Sequence, residues 1–327
     1  MRSQSILVVA ALGGIVAALL AGPAETASAS DSIDADSPAA LYPGGLYVDA
    51  GTAPVRALQA AEATGRTADA TRLRSIASQS IALWLTPSWT GDYLATRISR
   101  YRAAAAAQHR TPVFVTYAIP DRDCGGFSAG GLTDDQYLAW NGIIADGLRG
   151  SGAIVLVEPD SLAMLSSPRC AGVADTRIPL LRQAVDTLAD AGLTLYLDGG
   201  RRNWGDPGDL AARLIAAGID RARGFFTNVS NFDTVDPERA YGETLSALTG
   251  GKHFVIDVSR AGAPGVVGWC NPDGAALGQN PHPTAGTTHL DALLWVKTPG
   301  LSDGSCNGGP PAGGWFESYA LGLVDRR

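Results

Sequence analysis

The feature that most constrains the fold is a regular alternation of short apolar runs and longer helical patterns along almost the whole chain. The apolar runs are rich in β-branched residues, which is typical of strands buried on both faces. The predicted strands are residues 45–49, 80–85, 112–119, 153–158, 194–198, 224–229, 253–258 and 292–297. The predicted helices lie near residues 53–77, 91–108, 134–149, 176–191, 207–217, 235–249 and 315–324. This order predicts an α/β fold with a parallel sheet, which we expect to close into a barrel.

The clearest strand is the apolar run Ala153–Val157, which is followed by Glu158, Pro159 and Asp160. Pro159 cannot donate to a sheet and disfavours helix at Glu158, so the strand is expected to end there. Two carboxylates therefore follow the carboxyl end of a buried strand, the edge at which parallel α/β folds bind ligands. Taken alone, Asp160 would more often cap the helical turn that begins near Ser161.

Polar residues follow most of the other predicted strands as well. They are Asp121, Asp123, Asp198, Asn228, Asn231, Asp257, Lys297 and Asp303. In a parallel barrel these side chains would meet at one face. Because a cluster of acids disfavours folding through like-charge repulsion, its presence favours a catalytic explanation.

Two kinds of enzyme use an acidic cluster without a His or Cys nucleophile. A magnesium-dependent hydrolase is one, but such sites usually serve phosphates, and no phosphate-binding motif is evident in the sequence. The other is a glycoside hydrolase, in which one carboxyl group stays protonated and a second acts as nucleophile or base. The tryptophans Trp84, Trp89, Trp204 and Trp269 fall in or next to strand-end segments, where they could stack on sugar rings. We therefore favour the carbohydrate hypothesis.

The N-terminus has the pattern of a secretory signal peptide. Arg2 is followed by an apolar segment and by Ala27-Ser28-Ala29, which fits a cleavage site. We predict a signal peptide over residues 1–29, a short flexible leader over 30–44, and a single catalytic domain over 45–327. A retained membrane anchor is the alternative, although the apolar run is short for a span.

The four cysteines agree with export, because disulfides persist outside the cytoplasm. The simplest pairing is Cys124–Cys170 with Cys270–Cys306, although four cysteines allow three pairings. No Cys-x-x-Cys or paired His spacing suggests zinc. The formal net charge of −7, with two lysines, argues against a nucleic-acid or anionic-membrane surface. We expect no cofactor and no metal, and we expect a secreted monomer.

The strand-end motifs resemble those of glycoside hydrolase family 6, the inverting β-1,4-glucanases that include endoglucanases and cellobiohydrolases. The resemblance spans nearly the whole mature chain, and the cysteines fall where the family has its two disulfides. It rests on Tyr117 with Arg122-Asp123-Cys124, Val157-Glu158-Pro159-Asp160, Tyr196-Leu197-Asp198-Gly199-Gly200, Thr227-Asn228-Val229-Ser230-Asn231, Ile256-Asp257-Val258-Ser259-Arg260, Gly268-Trp269-Cys270-Asn271-Pro272, and Leu294-Trp295-Val296-Lys297 with Pro299-Gly300 and Ser302-Asp303-Gly304.

The resemblance implies a distorted, TIM-like parallel barrel of seven to eight strands with the substrate across the strand carboxyl ends. Asp160 matches the general acid, and Asp123 matches an aspartate that raises the pKa of this acid. Asp303 matches a proposed base, with a water chain through Asp123 as the rival scheme. Asp198 matches an aspartate that supports the site. The implied sugar contacts are Tyr117, Trp84, Trp204, Trp269, Lys297 and Asn231.

Two residues depart from the family pattern. Leu301 stands where members commonly carry Glu, and Arg201 stands where many carry His. Both fall at sugar-binding positions, so they affect the expected substrate preference more than the reaction type.

The sequence therefore predicts a secreted endo-β-1,4-glucanase acting on cellulose or a related β-glucan. The alternatives are an exo-acting cellobiohydrolase, a non-catalytic polysaccharide-binding relative and a metal-dependent hydrolase. We favour endo action because the segments around Gly125–Gly131 and Cys270–Cys306 are short for a roofed tunnel.

Overall fold

The computed structural model describes residues 37–170 and 172–327, together with Met1 and Leu7. The predicted signal peptide and the start of the predicted leader lie outside the continuous described ranges. The compact unit that carries the features below spans Ile33–Arg327. In the described part of the chain, no helix is both long and apolar enough to cross a bilayer.

In the part of the chain that the structure describes, eight strands form one sheet, which is parallel except at one edge. Neighbours follow chain order from β1 to β6, β8 then pairs with β6, and the short β7 pairs antiparallel with β8. The strands are β1 (Leu83–Leu85), β2 (Val113–Thr116), β3 (Ile154–Val157), β4 (Thr194–Asp198), β5 (Gly224–Thr227), β6 (His253–Asp257), β7 (His282–Pro283) and β8 (Leu290–Leu294). The predicted parallel α/β sheet is confirmed.

The sheet curls until β1 meets the carboxyl end of β8. The backbone N–H of Ala82, just before β1, donates to the carbonyl of Trp295 just after β8, at 3.0 Å. The indole N–H of Trp84 donates to the carbonyl of Val296 at 2.8 Å. This contact between the ends of β1 and β8, which we call the seam, turns the curled sheet into a distorted barrel.

The strands are apolar throughout because both of their faces are covered. In β3, Ile154 and Leu156 pack in the barrel interior, whereas Val155 and Val157 pack against the surrounding helices. This period of two divides the core into an inner cluster and a larger outer layer.

Nine α-helices are found in the described residues. They are α1 (Pro38–Leu41), α2 (Ala53–Ala63), α3 (Thr67–Ala77), α4 (Gly91–Ala107), α5 (Asp134–Leu148), α6 (Ala174–Asp190), α7 (Pro207–Ala216), α8 (Val235–Leu248) and α9 (Glu317–Asp325). Local capping sets several starts. Thr133 and Gln136 form a capping box at α5, and Asp206 caps α7 ahead of Pro207.

The predicted single helix over 53–77 is wrong, because the structure has two helices there. Gly65 adopts a left-handed φ of 71° between them and ends α2. A helical period in the sequence continues across such a break, because α2 and α3 both bury apolar faces.

The predicted strand 45–49 is also wrong. This segment makes one isolated bridge, between Leu46 and Thr111. Gly44 just before it has a φ of 73°, and a Cβ there would lie 1.9 Å from the carbonyl oxygen of His109. The chain therefore turns sharply into this segment and touches the strand layer at one point.

The later part of the segment predicted as a flexible leader packs against the barrel. Ser37 caps α1, and Tyr42 is buried in the inner cluster of the barrel. The composition of the segment, rich in Ser, Asp, Ala and Pro, did not indicate that it packs on the barrel, because a single aromatic residue, Tyr42, makes the buried contact.

Candidate active site

Asp160 stands at the carboxyl end of β3 with a half-buried carboxyl group. No described residue makes a hydrogen bond with that carboxyl group. Burial raises its pKa to about 8, and the nearby charges of Asp198 and Asp123 raise it further against the opposing effect of Lys297 and Arg177. An aspartate of this kind is protonated at neutral pH and has a proton to donate.

Asp160 does not cap the turn that follows it. The backbone N–H groups of Leu162 and Ala163 instead donate to Oδ2 of Asp198, at 3.0 and 2.9 Å. Asp198 comes from the next strand, β4, and its Oδ1 accepts the N–H of Gly200 at 3.0 Å. The N–H groups at the start of the turn are therefore bound by a carboxylate from a neighbouring strand, and the Asp160 carboxyl stays free.

Asp198 is one of three strand-end carboxylates that bind backbone amides of adjacent segments; we call these the carboxylate clips. Glu158 accepts the N–H groups of Ala118 and Ile119, which follow β2, at 2.9 and 3.1 Å. Each clip is almost fully buried. Burial raises the pKa of Glu158 to about 7 even though these hydrogen bonds favour the charged form.

The third clip, Asp257 at the end of β6, joins segments that follow three strands. It accepts the N–H groups of Ser230 and Ser259 at 3.1 and 2.9 Å. It also accepts those of Val296 and Lys297, at 3.3 and 3.0 Å. The acidic cluster of the sequence thus contains a structural set and a set that faces the cleft.

Asp123 lies in the segment after β2, in a turn with a left-handed φ of 57°. Its Oδ2 accepts the backbone N–H of Ser128 at 2.8 Å and the Ser128 hydroxyl at 2.9 Å. Its Oδ1 lies 3.6 Å from Nη2 of Arg169. Ser128 also pairs with the Tyr117 hydroxyl at 2.8 Å, so Asp123, Ser128 and Tyr117 form one chain of polar contacts.

Asp303 is bound by two cations. Its Oδ2 accepts from Nη1 of Arg260 at 2.7 Å, and its Oδ1 lies 3.0 Å from Nζ of Lys297. The N–H of Asn271 adds a bond at 3.0 Å. Burial alone would raise the pKa of Asp303, but the charges of Arg260 and Lys297 outweigh it and hold the pKa below its ordinary value. Burial in turn lowers the pKa of Lys297.

The predicted aromatic contacts differ in exposure. Trp84 meets Tyr117 edge to face, with ring centroids 5.1 Å apart. Trp269 is 53% exposed and touches Phe127 edge to face at 5.6 Å. Trp204 is half-buried beside Gly200. The fourth tryptophan of the sequence pattern, Trp89, packs on the outer core instead.

A cavity of about 470 Å³ opens between the segments that follow β4, β5 and β6. Asn231 and Trp269, both predicted sugar contacts, line it together with Arg201. Its floor includes Phe232, and the guanidinium of Arg260 lies 4.3 Å from the centre of that ring. The cavity is thus one side chain away from the Arg260–Asp303 pair.

Sequence reasoning assigned no role to Ser128, Arg260 or Phe127. Arg260 is fully buried and bonds Asp303, and Phe127 is 56% exposed against Trp269. The one available signal was Arg260 in the motif after β6, since a buried arginine needs an acid partner. Leu301, the first departure from the family pattern, forms a backbone bridge with Trp315 and offers no charge.

Two disulfides tie the site segments together in the predicted pairing. Cys124 bonds to Cys170, with Cα atoms 5.4 Å apart, and joins the Asp123 turn to the segment after β3. Cys270 bonds to Cys306, with Cα atoms 6.2 Å apart, and joins the Trp269 segment to the one carrying Asp303.

A comparison with known proteins identifies the family. The sequence profile of glycosyl hydrolases family 6 matches residues 44–327. The chain belongs to this family. The predicted family, fold class and enzyme class are thereby confirmed.

Two relatives and one solved structure illustrate the similarity. Endoglucanase A of Cellulomonas fimi is 42% identical over 280 residues, which cover 86% of this chain and 61% of that protein. Endoglucanase 1 of Streptomyces halstedii is 36% identical over 95% of this chain and 97% of its own length. The endoglucanase Cel6 from Mycobacterium tuberculosis, solved with methyl-cellobiosyl-4-deoxy-4-thio-β-D-cellobioside, superposes with a TM-score of 0.78 at 41% identity, covering 86% of this chain and 96% of that one.

Proposed function

We propose that this family member is a secreted inverting endo-β-1,4-glucanase that hydrolyses cellulose or a related β-glucan, with Asp160 as the general acid. The observation that carries the proposal is the free carboxyl of Asp160, whose pKa is raised to about 8 at the strand carboxyl ends. A protonated carboxyl in this position can donate to the oxygen of the bond that breaks.

Asp123 and Tyr117 support the proton donation by Asp160. The negative charge of Asp123 raises the pKa of Asp160, because ionisation of Asp160 would place a second negative charge nearby. The Asp123–Ser128–Tyr117 chain fixes the tyrosine hydroxyl beside the acid. Tyr117 thus presents its ring to the sugar at the cleavage point, and Asp198 holds the turn after Asp160 in place.

The contacts of Asp303 disfavour it as the base. A carboxylate that binds both Arg260 and Lys297 and has a lowered pKa is a poor proton acceptor. We assign it the task of holding Lys297 and Arg260 in place. Proton uptake from the attacking water then falls to Asp123, whose Oδ1 is more than 3.5 Å from its cation.

The aromatic side chains define the path of the glucan. Trp84, Trp204 and Trp269 would stack on sugar rings, and Asn231 and Lys297 would hydrogen bond to sugar hydroxyls. The related Mycobacterium tuberculosis structure contains a cellobioside analogue, which supports a cello-oligosaccharide ligand here. Exposure of Phe127 and Trp269 on facing segments supports an open cleft and endo action.

The first test is reducing-sugar release from carboxymethyl cellulose together with its viscosity. An endo-acting enzyme lowers viscosity early, because it cuts internal bonds, whereas an exo-acting cellobiohydrolase releases sugar with little change in viscosity. Asp160→Asn should lose release, and Asp236→Asn, at an exposed position of α8, should not. Polysaccharide binding without release by the unaltered protein would instead favour the non-catalytic alternative.

The role of Asp160 has a sharper test in the choice of leaving group. Asp160→Asn should lose activity on cello-oligosaccharides but keep more of it on aryl cellobiosides whose leaving group needs no proton. Equal loss on both substrates would remove Asp160 from the role of general acid.

The stereochemistry can be read directly. Proton NMR at early times should show the α-anomer as the first product of a β-linked substrate. A β-anomer would contradict inversion. A chelator should leave the rate unchanged, and a loss of rate would favour the metal-dependent alternative.

Secretion is part of the same proposal. Export by the predicted signal peptide predicts a mature N-terminus near Ser30 in the culture medium, which N-terminal sequencing checks. Sedimentation of the mature chain should give a monomer.

A further inference from the structure

The cavity beside the Arg260–Asp303 pair has an excess of positive charge. Oδ2 of Asp233 accepts from Nη1 of Arg201 at 2.9 Å, and Oδ1 accepts from Nε of Arg202 at 2.6 Å. Two guanidinium groups therefore share one carboxylate, and all three side chains line the cavity. We call Arg201 and Arg202 the arginine pair.

Several nitrogen atoms of the arginine pair have no acceptor among the described residues. Within residues 37–170 and 172–327, no oxygen accepts a hydrogen bond from Nε or Nη2 of Arg201, or from Nη1 or Nη2 of Arg202. Nε of Arg201 is buried as well. The Arg201 side chain is 30% exposed and that of Arg202 is 40% exposed, so a ligand in the cavity can reach the exposed part of each side chain.

The arginine pair is held in a built site. The buried side chain of Asn228 bonds both the N–H and the carbonyl of Asp233, at 3.2 and 3.0 Å. The same amide donates to the carbonyl of Asp257, which is one of the carboxylate clips. Asp233 is therefore fixed to the strand ends, and it fixes the arginines in turn.

One further acid is close to the arginine pair. Oε2 of the buried Glu238 accepts the backbone N–H of Arg202 at 3.2 Å. Burial raises the pKa of Glu238 to about 7, so this group is mostly neutral below that pH. It then does not cancel the positive charge of the cavity.

We propose that the arginine pair binds a carboxylate carried by a sugar unit, so that this enzyme prefers β-glucans with acidic substituents. The inference rests on the proposed function and names the substrate class of the same cleft. Guanidinium groups bind carboxylates through paired, charge-assisted hydrogen bonds. Trp269 offers a stacking face and Asn231 a polar contact for the same sugar.

The positive charge of the cavity is local and opposite in sign to the charge of the whole chain. The whole chain has a formal net charge of −7, which repels an anionic polymer. Any preference for such a polymer must therefore come from a specific positive site. Arg201 also stands where the family pattern leads us to expect His, so the positive charge at this position is a departure from that pattern.

The experiment is native gel electrophoresis of the mature protein through carboxymethyl cellulose and, separately, through neutral hydroxyethyl cellulose. Random substitution presents a carboxylate in every register along the cleft. Below pH 7, Arg201→Ala and Arg202→Ala should each weaken binding to the carboxymethyl polymer by about fivefold, the size expected for one partly exposed charge-assisted contact. Binding to the hydroxyethyl polymer should change by less than about twofold.

Two controls belong to this experiment. Arg239→Ala removes an exposed arginine of α8 that pairs with Asp236, and it should change neither affinity. Arg201→Lys keeps a charge without the planar group and should fall between the unaltered protein and Arg201→Ala. The single substitutions leave Asp233 paired with one arginine, and unchanged thermal unfolding verifies the fold. If Arg201→Ala fails to fold, Arg202→Ala decides alone.

Equal loss of binding to both polymers, or no loss on either, overturns the inference. Neither outcome contradicts the proposed function. That function is tested separately, by the release of reducing ends from the hydroxyethyl polymer by the unaltered protein. If that release is absent the proposed function fails, and the gel still decides whether the arginine pair binds carboxylates.

Discussion

At the scale of single residues, the site separates carboxyl groups by what binds them. The carboxyl group of Asp160 has no hydrogen-bond partner in the described residues, and its pKa is raised to about 8. Asp303 binds Arg260 and Lys297, and its pKa is lowered. Two chemically identical side chains that follow strands of the same sheet thus have pKa values shifted in opposite directions, which is the arrangement that acid catalysis requires.

The pKa of Asp160 predicts how the rate depends on pH. The rate of cello-oligosaccharide hydrolysis should fall as the pH rises through about 8, because the acid then has no proton to give. The measurement is kcat/KM against pH. An aryl substrate that needs no protonation should lose less rate over the same range, and an equal fall on both substrates would contradict the assignment.

The same pKa predicts a pH-dependent stability. Because the unfolded carboxyl ionises near pH 4 and the folded one near 8, the folded state holds an extra proton between these values, so stability falls as pH rises there. Asp160→Asn removes this loss. It should be more stable than the unaltered protein by up to about 4 kcal/mol at pH 7, because each pH unit above the unfolded pKa contributes about 1.4 kcal/mol, and equally stable at pH 4. Urea unfolding at both pH values checks this, and a variant less stable at neutral pH would refute it.

At the scale of elements, the carboxylate clips position the segments that follow the strands. Asp198, Glu158 and Asp257 each bind backbone N–H groups of neighbouring segments, and their carboxylates replace a helix cap or a sheet bond. Leaving such buried amides unpaired disfavours folding. The clips therefore set the geometry of the segments that carry Asp160 and Asp123.

Asp257 gives the clearest test of a clip. Asp257→Ala leaves the N–H groups of Ser230, Ser259, Val296 and Lys297 without this acceptor and should lower stability by about 3 kcal/mol. Asp257→Asn keeps one acceptor oxygen and should lose less. Urea unfolding of both variants measures the difference, and equal stability of the alanine variant and the unaltered protein would exclude the clip.

How far sequence reasoning reaches depends on how local the signal is. The strand Thr194–Asp198 and the start of α5 were predicted at their observed positions, because an apolar run and a helical pattern are local signals. The break at Gly65 was missed for the opposite reason, since the apolar faces of α2 and α3 continue the same period.

The roles of the acids were harder to predict. Asp160 and Asp198 both follow apolar strands, and only the three-dimensional contacts show that the amides of Leu162 and Ala163 select Asp198. The arginine pair was equally hidden, because Arg201 and Asp233 lie 32 positions apart. Hydrogen bonds between segments of different strands leave no periodic trace in the sequence.

At the scale of the whole molecule, the barrel depends on an interior that several distant segments fill. Strand side chains such as Ile154 and Leu156 form most of it, and Tyr42 adds an aromatic ring from before the first strand. The chain N-terminal to β1 is therefore part of the core, and the described fold cannot be trimmed to the predicted boundary at residue 45 without loss of that ring.

Tyr42→Ala should lower stability by about 3 to 5 kcal/mol, the usual effect of removing a buried aromatic side chain. Tyr42→Phe keeps the ring and should lose far less. Thermal and urea unfolding of the two variants give the comparison. If the alanine variant unfolds with the unaltered protein, the segment is a dispensable leader after all.

The seam gives ligand binding a mechanical consequence. Trp84 belongs to β1 but donates its indole N–H to the carbonyl of Val296, just after β8. A glucan chain that stacks on Trp84 and contacts Lys297 would bind residues on both sides of the seam at the same time. Saturation with oligosaccharide should then slow amide hydrogen exchange at Ala82 and its neighbours on both sides of the seam. The bound substrate would thus stabilise the closure of the barrel.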